Sequence, residues 1–453
     1  MNRFPVAVIG AGPVGLAAAC RLLERGETPL VLEAGCAAAA AVREWGHVRM
    51  FSPWWMNVDL SAAALLNKRG WRMPRQDAYP SGHELVNEYL APLAQVAEVA
   101  ECLHYNHRVV GVSRRGRDKL MMTGRAEVPF ELHVLLSSGE HRSFLARAVI
   151  DASGTWSTPN PAGQSGLPAV GELGQPNITY GIPDLRGDGV QRYAERDTIV
   201  LGSGHSAIHV LLKLAELRGS RPASVTWVTR GATPCVGTTP HARMDQLLPE
   251  RGAALSRAAL LVRTGTLKAV SHFGLNEITQ TGSAGRLLLR GACRGTRALL
   301  EADRLIVCTG FRPDLALLRE LHVELDPWIE ASVGVGRLIR AAVTAGQRMP
   351  LPCGVGALAH PEANLFVLGM KSHGRAPNFF LFHGYEQVRS TVAWLCGDVE
   401  AASRVEVDSL EGDVCGGPEG SSCCASLGSA ACGNTYLVQE AQNAHHPLAR
   451  QNE

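Results

Sequence analysis

The glycine pattern at residues 10–15 restricts the fold of this chain more than any other feature. These residues read Gly-Ala-Gly-Pro-Val-Gly, directly after an apolar run at residues 5–9. A helical pattern follows to about Arg25, and a second apolar run at residues 29–32 ends at Glu33. Strand, glycine turn, helix and strand in this order predict a βαβ-type unit. The turn and the helix N-terminus then form a cradle for an anion, because unpaired N–H groups and the positive end of the helix dipole point at it.

The position of Glu33 makes this cradle specific for a dinucleotide. Glu33 lies 23 residues after Gly10 (33−10), at the end of the second predicted strand. A carboxylate at this place can accept hydrogen bonds from ribose hydroxyls. A glycine turn without a ligand is the alternative interpretation, and the combination of strand, helix and acid argues against it.

A second unit of the same kind lies in the middle of the chain. An apolar run at residues 198–201 leads into Gly-Ser-Gly-His-Ser-Ala at 202–207, a helical stretch to about Leu217 and a further strand at 224–228. No acid follows that strand, and Arg230 stands 28 residues after Gly202 (230−202). A guanidinium there can pair with a 2′-phosphate, so NADPH is favoured over NADH. The alternative is that Arg230 is an ordinary surface arginine.

Four motifs together resemble the two-dinucleotide-binding-domain flavoproteins, in which an NAD(P)H domain interrupts an FAD domain. They are GAGPVG (10–15) with Glu33, DASG (151–154), GSGHSA (202–207) and CTGFRPD (308–314). The resemblance covers residues 1 to about 396 and implies an α/β fold with two Rossmann-like dinucleotide-binding domains and FAD and NADPH as cofactors. The expected boundaries are 1–190 plus 305–398 for the FAD domain, 191–304 for the NAD(P)H domain and 399–453 for a cysteine-rich extension, largely flexible from about 412.

The resemblance also implies which residues hold the two cofactors. For FAD they are Gly10, Gly12, Pro13, Gly15, Glu33, Gly154, Gly310 and Gly369. For NADPH they are Gly202, Gly204, His205, Ser206 and Arg230.

Two further stretches look most like flavin-dependent monooxygenase-like oxidoreductases, including a bacterial group associated with arsenic resistance. They are residues 42–52 (VREWGHVRMFS) and 368–381 (LGMKSHGRAPNFFL). The chain lacks the C-x-x-C or C-x-x-x-x-C pair of disulfide reductases, and Gly369-Met370-Lys371 stands where those enzymes carry Gly-Asp. The F-x-G-x-x-x-H fingerprint of Baeyer–Villiger and N-hydroxylating enzymes is also missing before the second glycine motif. Both departures leave the reaction open.

Polar and aromatic residues near these motifs are the candidates for catalysis. The predicted catalytic residues are His47, Arg49 and Lys371, with His373 as a further polar candidate, and each could tune the flavin or oxygen. The residues expected to wall a dry pocket are Trp45, Phe51, Trp54 and Trp55. Structural roles for the polar groups, and ordinary core packing for the aromatic ones, remain the alternatives.

Four of the 12 cysteines fall in the last 40 residues: Cys415, Cys423, Cys424 and Cys432. Adjacent cysteines strain a disulfide between them, and a reduced pair suits a soft, thiophilic ion. The tail looks similar to that of mercuric reductases, which carry a vicinal pair near the C-terminus, and this points to a metal or metalloid site. The alternative is a tail without a selected function.

Composition limits the partners. Lys and Arg total 44 against 42 Asp and Glu, and no basic block is present, so a nucleic-acid partner is not expected. The lack of an 18-residue apolar run and of an export segment predicts no membrane partner and a cytoplasmic location. A small-molecule substrate is expected, and a homodimer stays open.

The sequence therefore predicts an FAD-dependent NADPH oxidoreductase, monooxygenase-like, that oxidises a small substrate with O₂. An arsenical is one candidate for that substrate. Two alternatives remain at this stage. The first is a reductase that passes electrons through the tail cysteines to a disulfide, metal or metalloid. The second is a non-enzymatic flavin or metalloid sensor.

Overall fold

The structure, a computed structural model, describes residues 4–217, 222–233, 248–282, 285–344, 353–376 and 379–406. Within these ranges no helix is long and apolar enough to cross a bilayer. In chain order the strands are β1 (Val6–Ile9), β2 (Pro29–Leu32), β3 (Leu103–His104), β4 (His107–Arg114), β5 (Phe130–Leu136), β6 (His141–Ala146), β7 (Ala148–Asp151), β8 (Ile178–Tyr180), β9 (Asp197–Leu201), β10 (Ser224–Val228), β11 (Lys268–Val270), β12 (Phe273–Thr281), β13 (Arg286–Cys293), β14 (Thr296–Ala302), β15 (Arg304–Val307) and β16 (Leu365–Val367).

The helices are short apart from five that have 12 or 15 residues. In chain order they are α1 (Pro13–Glu24), α2 (Ala40–Glu44), α3 (Trp54–Asn57), α4 (Leu60–Asn67), α5 (Gly82–Leu85), α6 (Ala91–Ala94), α7 (Ala97–Ala100), α8 (His205–Glu216), α9 (Pro249–Arg263), α10 (Val333–Thr344), α11 (Val355–Leu358), α12 (Leu381–Leu395) and α13 (Val399–Ser403). One π-helical turn, Val86–Leu90, and 3₁₀ turns at Gly187–Arg192, Ala316–Leu318 and Gly369–His373 complete the set.

The first sheet is fully parallel, with strand order β16-β7-β1-β2-β3. Val6 is opposite Pro29 on one side and Ala148 on the other, so β1 lies at the centre. All four residues of β1 are buried, as expected for a parallel strand that is covered on both faces. Helices α1 and α12 pack against each other on this sheet. Since the carboxyl ends of these strands share one edge, the loops after β1, β7 and β16 converge there.

The second sheet is also parallel, with order β11-β10-β9-β15-β8. This arrangement differs from the boundaries expected from sequence. Residues 178–180 and 305–307 were assigned to the first unit, yet β8 and β15 pair side by side within the second sheet. The sequence of an apolar strand that ends in Thr-Gly does not indicate which sheet the strand joins, because its pairing partner is set by tertiary contacts. The α/β fold with two dinucleotide-binding units is confirmed.

Two three-stranded antiparallel sheets flank the parallel ones. One has the order β4-β5-β6 and the other β12-β13-β14. The turn at Ser138 and Gly139 joins β5 and β6 into a hairpin, and Gly139 adopts a φ of +86°. Each of these sheets packs on one of the parallel sheets through its buried apolar residues.

Two extended segments join the units and lie side by side. The amide of Asn160 donates to the carbonyl of Gly310 at 2.9 Å, and the hydroxyl of Thr309 donates to the carbonyl of Asn160 at 2.8 Å. The guanidinium of Arg312 donates to the side-chain oxygen of Asn160 at 2.9 Å. These hydrogen bonds join the outgoing and returning chain into one connection.

Candidate active site

The first glycine turn has the shape that a pyrophosphate needs. Gly10 adopts a φ of +97°, a conformation that side chains rarely allow. A Cβ at Gly15 would collide with the carbonyl oxygen of Gly10, so helix and strand approach as closely as backbone permits. A Cβ at Gly12, in contrast, would meet nothing within 4 Å, and Pro13 begins α1. The turn is therefore closely packed at Gly15 and open at Gly12, which leaves room for the phosphates of a dinucleotide.

Glu33 holds this turn to the end of β2. Its Oε2 accepts from the amide of Ala11 at 2.6 Å, and its Oε1 accepts from the amide of Gly35 at 2.7 Å. The residue is 9% exposed. Each carboxylate oxygen accepts more than one hydrogen bond, so Glu33 can brace the loop and still receive a ribose hydroxyl. Its position suits the adenosine end of FAD.

A buried ion pair lies at the carboxyl ends of β7 and β16. The Nζ of Lys371 donates to Asp151 Oδ2 at 2.6 Å and to the hydroxyl of Ser153 at 3.0 Å. Both charged side chains are 0% exposed. Lys371, predicted to be catalytic, thus joins the end of β7 to the turn after β16. In this position the ammonium neutralises a buried carboxylate beneath the loops of the first unit, which suits a positioning role.

The glycines around this ion pair shape the same edge. Gly154 adopts a φ of +70° and faces open space. Gly369, with a φ of +73°, lies against Val14 of α1, where a Cβ would come within 3.1 Å. The amide of Gly369 donates to Oε1 of Gln387 at 2.8 Å, which ties the turn to α12. Gly310 lies instead in the connection between the units, beside Asn160.

The second glycine turn repeats the geometry of the first. Gly202 adopts a φ of +144°, and a Cβ there would collide with the carbonyl oxygen of Cys308. At Gly204 a Cβ would meet nothing within 4 Å. His205 and Ser206 form the first turn of α8, so they lie where the phosphates of a second nucleotide would meet the helix. Arg230 is exposed just after β10, and its guanidinium reaches the carbonyl of Gln164 at 3.4 Å.

A cavity of about 280 Å³ lies between the two units. Its described lining residues come from both units: Trp45, Val48, Arg49, Met50, Phe51, Ser52, Ile182, His205, Ser206, His209, Arg251, Phe379 and Phe380. The cavity therefore reaches the start of α8 in the second unit, and its opposite wall is formed by residues 45–52 and 379–380 of the first unit.

His205 contacts residues of both units at this cleft. Its ring accepts from the guanidinium of Arg251 at 2.7 Å and meets Phe51 edge-on, with ring centroids 5.5 Å apart. Burial, and then the charge of Arg251, lower the pKa of His205 well below its ordinary value. His209, one turn further along α8, has its pKa lowered to about 4, chiefly by burial and secondly by Lys213. Both rings are therefore neutral at pH 7.

Two of the predicted catalytic residues lie at this cavity or beside it. Arg49 lines the cavity, and its backbone bridges to Ser81. The Nε2 of His47 lies 3.0 Å from the carbonyl oxygen of Ile182, which follows β8 of the second sheet. Their separation from Lys371, which lies within the ion pair with Asp151, divides the three residues between two locations.

The predicted aromatic wall is also divided. Trp45 and Phe51 line the cavity. Trp54 is 3% exposed and belongs to the core of the first unit, whereas Trp55 is 48% exposed and lies near Phe382. Two of the four aromatic residues therefore lie where a dry pocket needs them.

A histidine pair at the start of α12 adds to the first unit. The rings of His373 and His383 are parallel within 3°, with centroids 6.3 Å apart. Burial lowers the pKa of His373 to about 4, and burial together with His373 lowers that of His383 to about 3. Both nitrogens of His383 are buried without a hydrogen-bond partner among the described residues. These rings are neutral and serve as packing for Phe379 and Phe380.

The predicted metal site at Cys415, Cys423, Cys424 and Cys432 lies outside the described residues. Within the described part of the chain, no three His, Cys, Asp or Glu side chains come together as a metal site. The cysteines there are free, and Cys36 is exposed. No cysteine is found among the described residues that line the cleft cavity.

Sequence reasoning missed several residues of the cleft. Arg251, His209 and Phe380 line the cavity, and Asp151 is the partner of Lys371. Asp151 and Phe380 carried a signal, because they lie within the stretches 151–154 and 368–381. Arg251 lies in the first turn of α9, 46 residues after His205, and no motif links the two.

Comparison with known structures gives the same architecture. The bacillithiol disulfide reductase Bdr (YpdA) from Bacillus cereus aligns at a TM-score of 0.61 and 20% identity, over 87% of this chain and 99% of that one. The FAD-bound cadaverine monooxygenase of desferrioxamine biosynthesis from Erwinia amylovora aligns at 0.60 and 15%, over 92% and 99%. A double mutant of a flavin monooxygenase from Stenotrophomonas maltophilia aligns at 0.52 and 23%, over 87% and 98%. At these identities the likeness concerns the fold.

No curated protein matches the chain by sequence. A family model does match: residues 7–333 fit that of the pyridine nucleotide-disulphide oxidoreductases. The match includes both glycine turns, the connection and the second sheet, and it confirms the expected enzyme class with FAD and NAD(P)H as cofactors. The chain belongs to the pyridine nucleotide-disulphide oxidoreductase family.

Proposed function

We propose that this protein is a monooxygenase-like oxidoreductase that takes hydride from NADPH onto FAD and then oxidises a small substrate with O₂. One observation carries the proposal. The cavity between the two units is lined largely by aromatic, arginine and histidine side chains, and none of its described lining residues is a cysteine. Electrons that leave the flavin there meet no thiol among the described lining residues, so a bound small molecule is the direct acceptor.

The residues of the first unit would hold FAD. Gly12 and the first turn of α1 would bind the pyrophosphate, and Glu33 would accept from the adenosine ribose. FAD supplies the redox chemistry when it is bound. Trp45, Phe51 and Phe380 border the cleft and would exclude water from the reacting part of the cofactor.

The residues of the second unit would hold NADPH. Gly204 leaves room for the pyrophosphate, and the amides at the start of α8 face it. The ring of His205 is neutral and adds no positive charge there, so the charged side chains among the described lining residues are Arg49 and Arg251. Arg230 is exposed after β10 and free of a described carboxylate partner, so it suits the 2′-phosphate of NADPH.

Oxygen uptake separates this proposal from its main alternative. NADPH is supplied to the FAD-loaded protein with and without trivalent arsenicals, under air and under nitrogen. A monooxygenase couples NADPH oxidation to O₂ uptake and to an oxygenated product. Sustained turnover under nitrogen, with a disulfide or metalloid as acceptor, would refute the proposal and favour a reductase. Bound FAD with negligible NADPH oxidation would favour a sensor.

An arsenical substrate, a cytoplasmic location and the link to the arsenic-resistance group are further parts of this proposal. They rest on the stretches at 42–52 and 368–381 and on the four tail cysteines, which lie outside the described residues. Replacing Cys423 and Cys424 by serine tests the tail. If trivalent arsenical binding and turnover stay unchanged, the tail has no part in substrate delivery.

A further inference from the structure

The cleft cavity carries an arginine of each unit. Its described lining residues include Arg49 of the first unit and Arg251 of the second, and none of those described is an aspartate or glutamate. Arg251 already donates to His205, so Arg49 supplies the charge that a bound molecule can meet. Low-dielectric walls strengthen the field inside a cleft of one sign. The cavity therefore favours an anion over a neutral or cationic molecule.

The carboxylates close to Arg49 are already engaged elsewhere. Glu84 lies within electrostatic range of Arg49, but its Oε2 accepts from the amide of Ser81 at 2.7 Å as part of a capping box. Asp184, beside His47, pairs with Arg186 at 2.8 Å. Among the described residues Arg49 forms no ion pair, and its side chain is exposed to the cavity. Its charge is available to a bound molecule.

The histidines of the cavity do not add to this charge at neutral pH. The pKa values of His205 and His209 are both lowered, mainly by burial. His205 is also held as an acceptor by the guanidinium of Arg251. The positive charge of the cleft therefore comes from the arginines, and it persists at every pH at which the protein is folded.

The remaining walls favour a flat molecule. Phe51, Phe379 and Phe380 border the cavity together with Trp45. Phe51 is already fixed by its edge-on contact with His205 at an interplanar angle of 72°. A volume of about 280 Å³ is at the lower end of small-molecule sites, which suits a single ring with one substituent.

We propose that the cleft selects a small flat substrate that carries one anionic group, a carboxylate or another oxyanion, bound by Arg49. This inference rests on the proposed function, because it takes the cleft as the place where substrate meets the reduced flavin. The phosphates of NADPH are expected at the glycine turn of the second unit. Arg49 lies across the cleft from that turn and is available to the substrate.

Ligand perturbation of the flavin absorbance tests the proposal on the FAD-loaded protein. The probes are benzoate and phenylarsonate, which are flat oxyanions, and benzamide, which is the neutral analogue of benzoate. We expect saturable binding of both oxyanions and at least about tenfold weaker binding of benzamide, a difference of about 1.4 kcal/mol. Arg49→Gln should weaken benzoate binding by a similar factor. The matched control is Arg108→Gln, an exposed arginine on β4, which should leave binding unchanged.

Two results would overturn the inference. The first is equal binding of benzamide and benzoate, or benzoate binding that Arg49→Gln leaves intact. The second is a raised Michaelis constant for NADPH in Arg49→Gln with unchanged benzoate binding, which would make Arg49 a cofactor residue. The proposed function is tested by a different experiment, and it fails if NADPH does not reduce the flavin of the unmodified protein. Benzoate binding is measured without NADPH, so the two failures can be told apart.

Discussion

The two glycine turns share a backbone plan and differ in what surrounds them. Around the first, Glu33 ties the turn to its strand and the buried pair of Lys371 and Asp151 closes the adjacent strand ends. Around the second, no carboxylate of the described part of the chain braces the turn, Gly204 is exposed, and His205 contacts residues from other elements. The first turn is built into a rigid frame, as a permanently held nucleotide requires. The second is open, as a nucleotide that exchanges in each turnover requires.

The largest expected effect comes from filling the open space in front of each turn. Gly12→Val should abolish FAD binding and Gly204→Val should abolish reduction by NADPH while FAD remains bound. Both backbones allow a side chain, with φ values of −76° and −83°, so the protein should fold. Flavin absorbance and the rate of NADPH oxidation measure the two results. Gly15→Val is the contrasting variant, because its side chain meets backbone and should prevent folding. Loss of FAD in Gly204→Val would contradict the separation of the two sites.

Removing the ammonium of Lys371 should lower the free energy of unfolding, and this is the second largest effect that we expect. Lys371→Met leaves Asp151 buried without its partner, and a broken buried pair costs about 3–5 kcal/mol of unfolding free energy. Urea unfolding measures it. The double variant Lys371→Met with Asp151→Asn removes both charges and should recover most of the loss. If the single variant is as stable as the parent, the first unit is less rigid than this comparison requires.

Acid should destabilise the first unit through His373. Burial lowers the pKa of this ring to about 4, from an ordinary value of 6.5. Between these values the unfolded chain binds more protons than the folded one, so the free energy of unfolding falls as the pH falls, by about 3 kcal/mol at pH 4. In His373→Gln, the free energy of unfolding should therefore fall less between pH 7 and pH 4 than in the parent, by about 3 kcal/mol. The exposed His133→Gln is the control, and an equal slope in both variants argues against a buried neutral ring at position 373.

The smallest expected effect concerns the open turn. Arg230→Ala should raise the Michaelis constant for NADPH about tenfold and leave that for NADH unchanged, since a charged hydrogen bond to an exposed phosphate is worth about 1.5 kcal/mol or less. Steady-state kinetics with both nucleotides measure it. Equal constants in the variant and the parent would make Arg230 an ordinary surface residue and remove the preference for NADPH.

The turns could be predicted from sequence because their chemistry is local. Gly10, Gly15 and Gly202 stand where neighbouring backbone forbids a side chain, and each lies within a few residues of the strand and helix that it joins. The sheet that receives β15 could not be predicted, because strand pairing joins residues far apart in sequence. The same holds for Arg251 beside His205 and for the burial of Lys371, which depends on a partner 220 residues away.

The double connection between the units limits how they can move. A single linker would let the second unit swivel about any bond within it. Here the segments around Asn160 and Gly310 are hydrogen-bonded to each other, and twisting one against the other would break those bonds. Any movement of the second unit against the first should therefore be a rotation about one axis along the connection. Such a hinge would return the second glycine turn to the same position against the first unit after each movement.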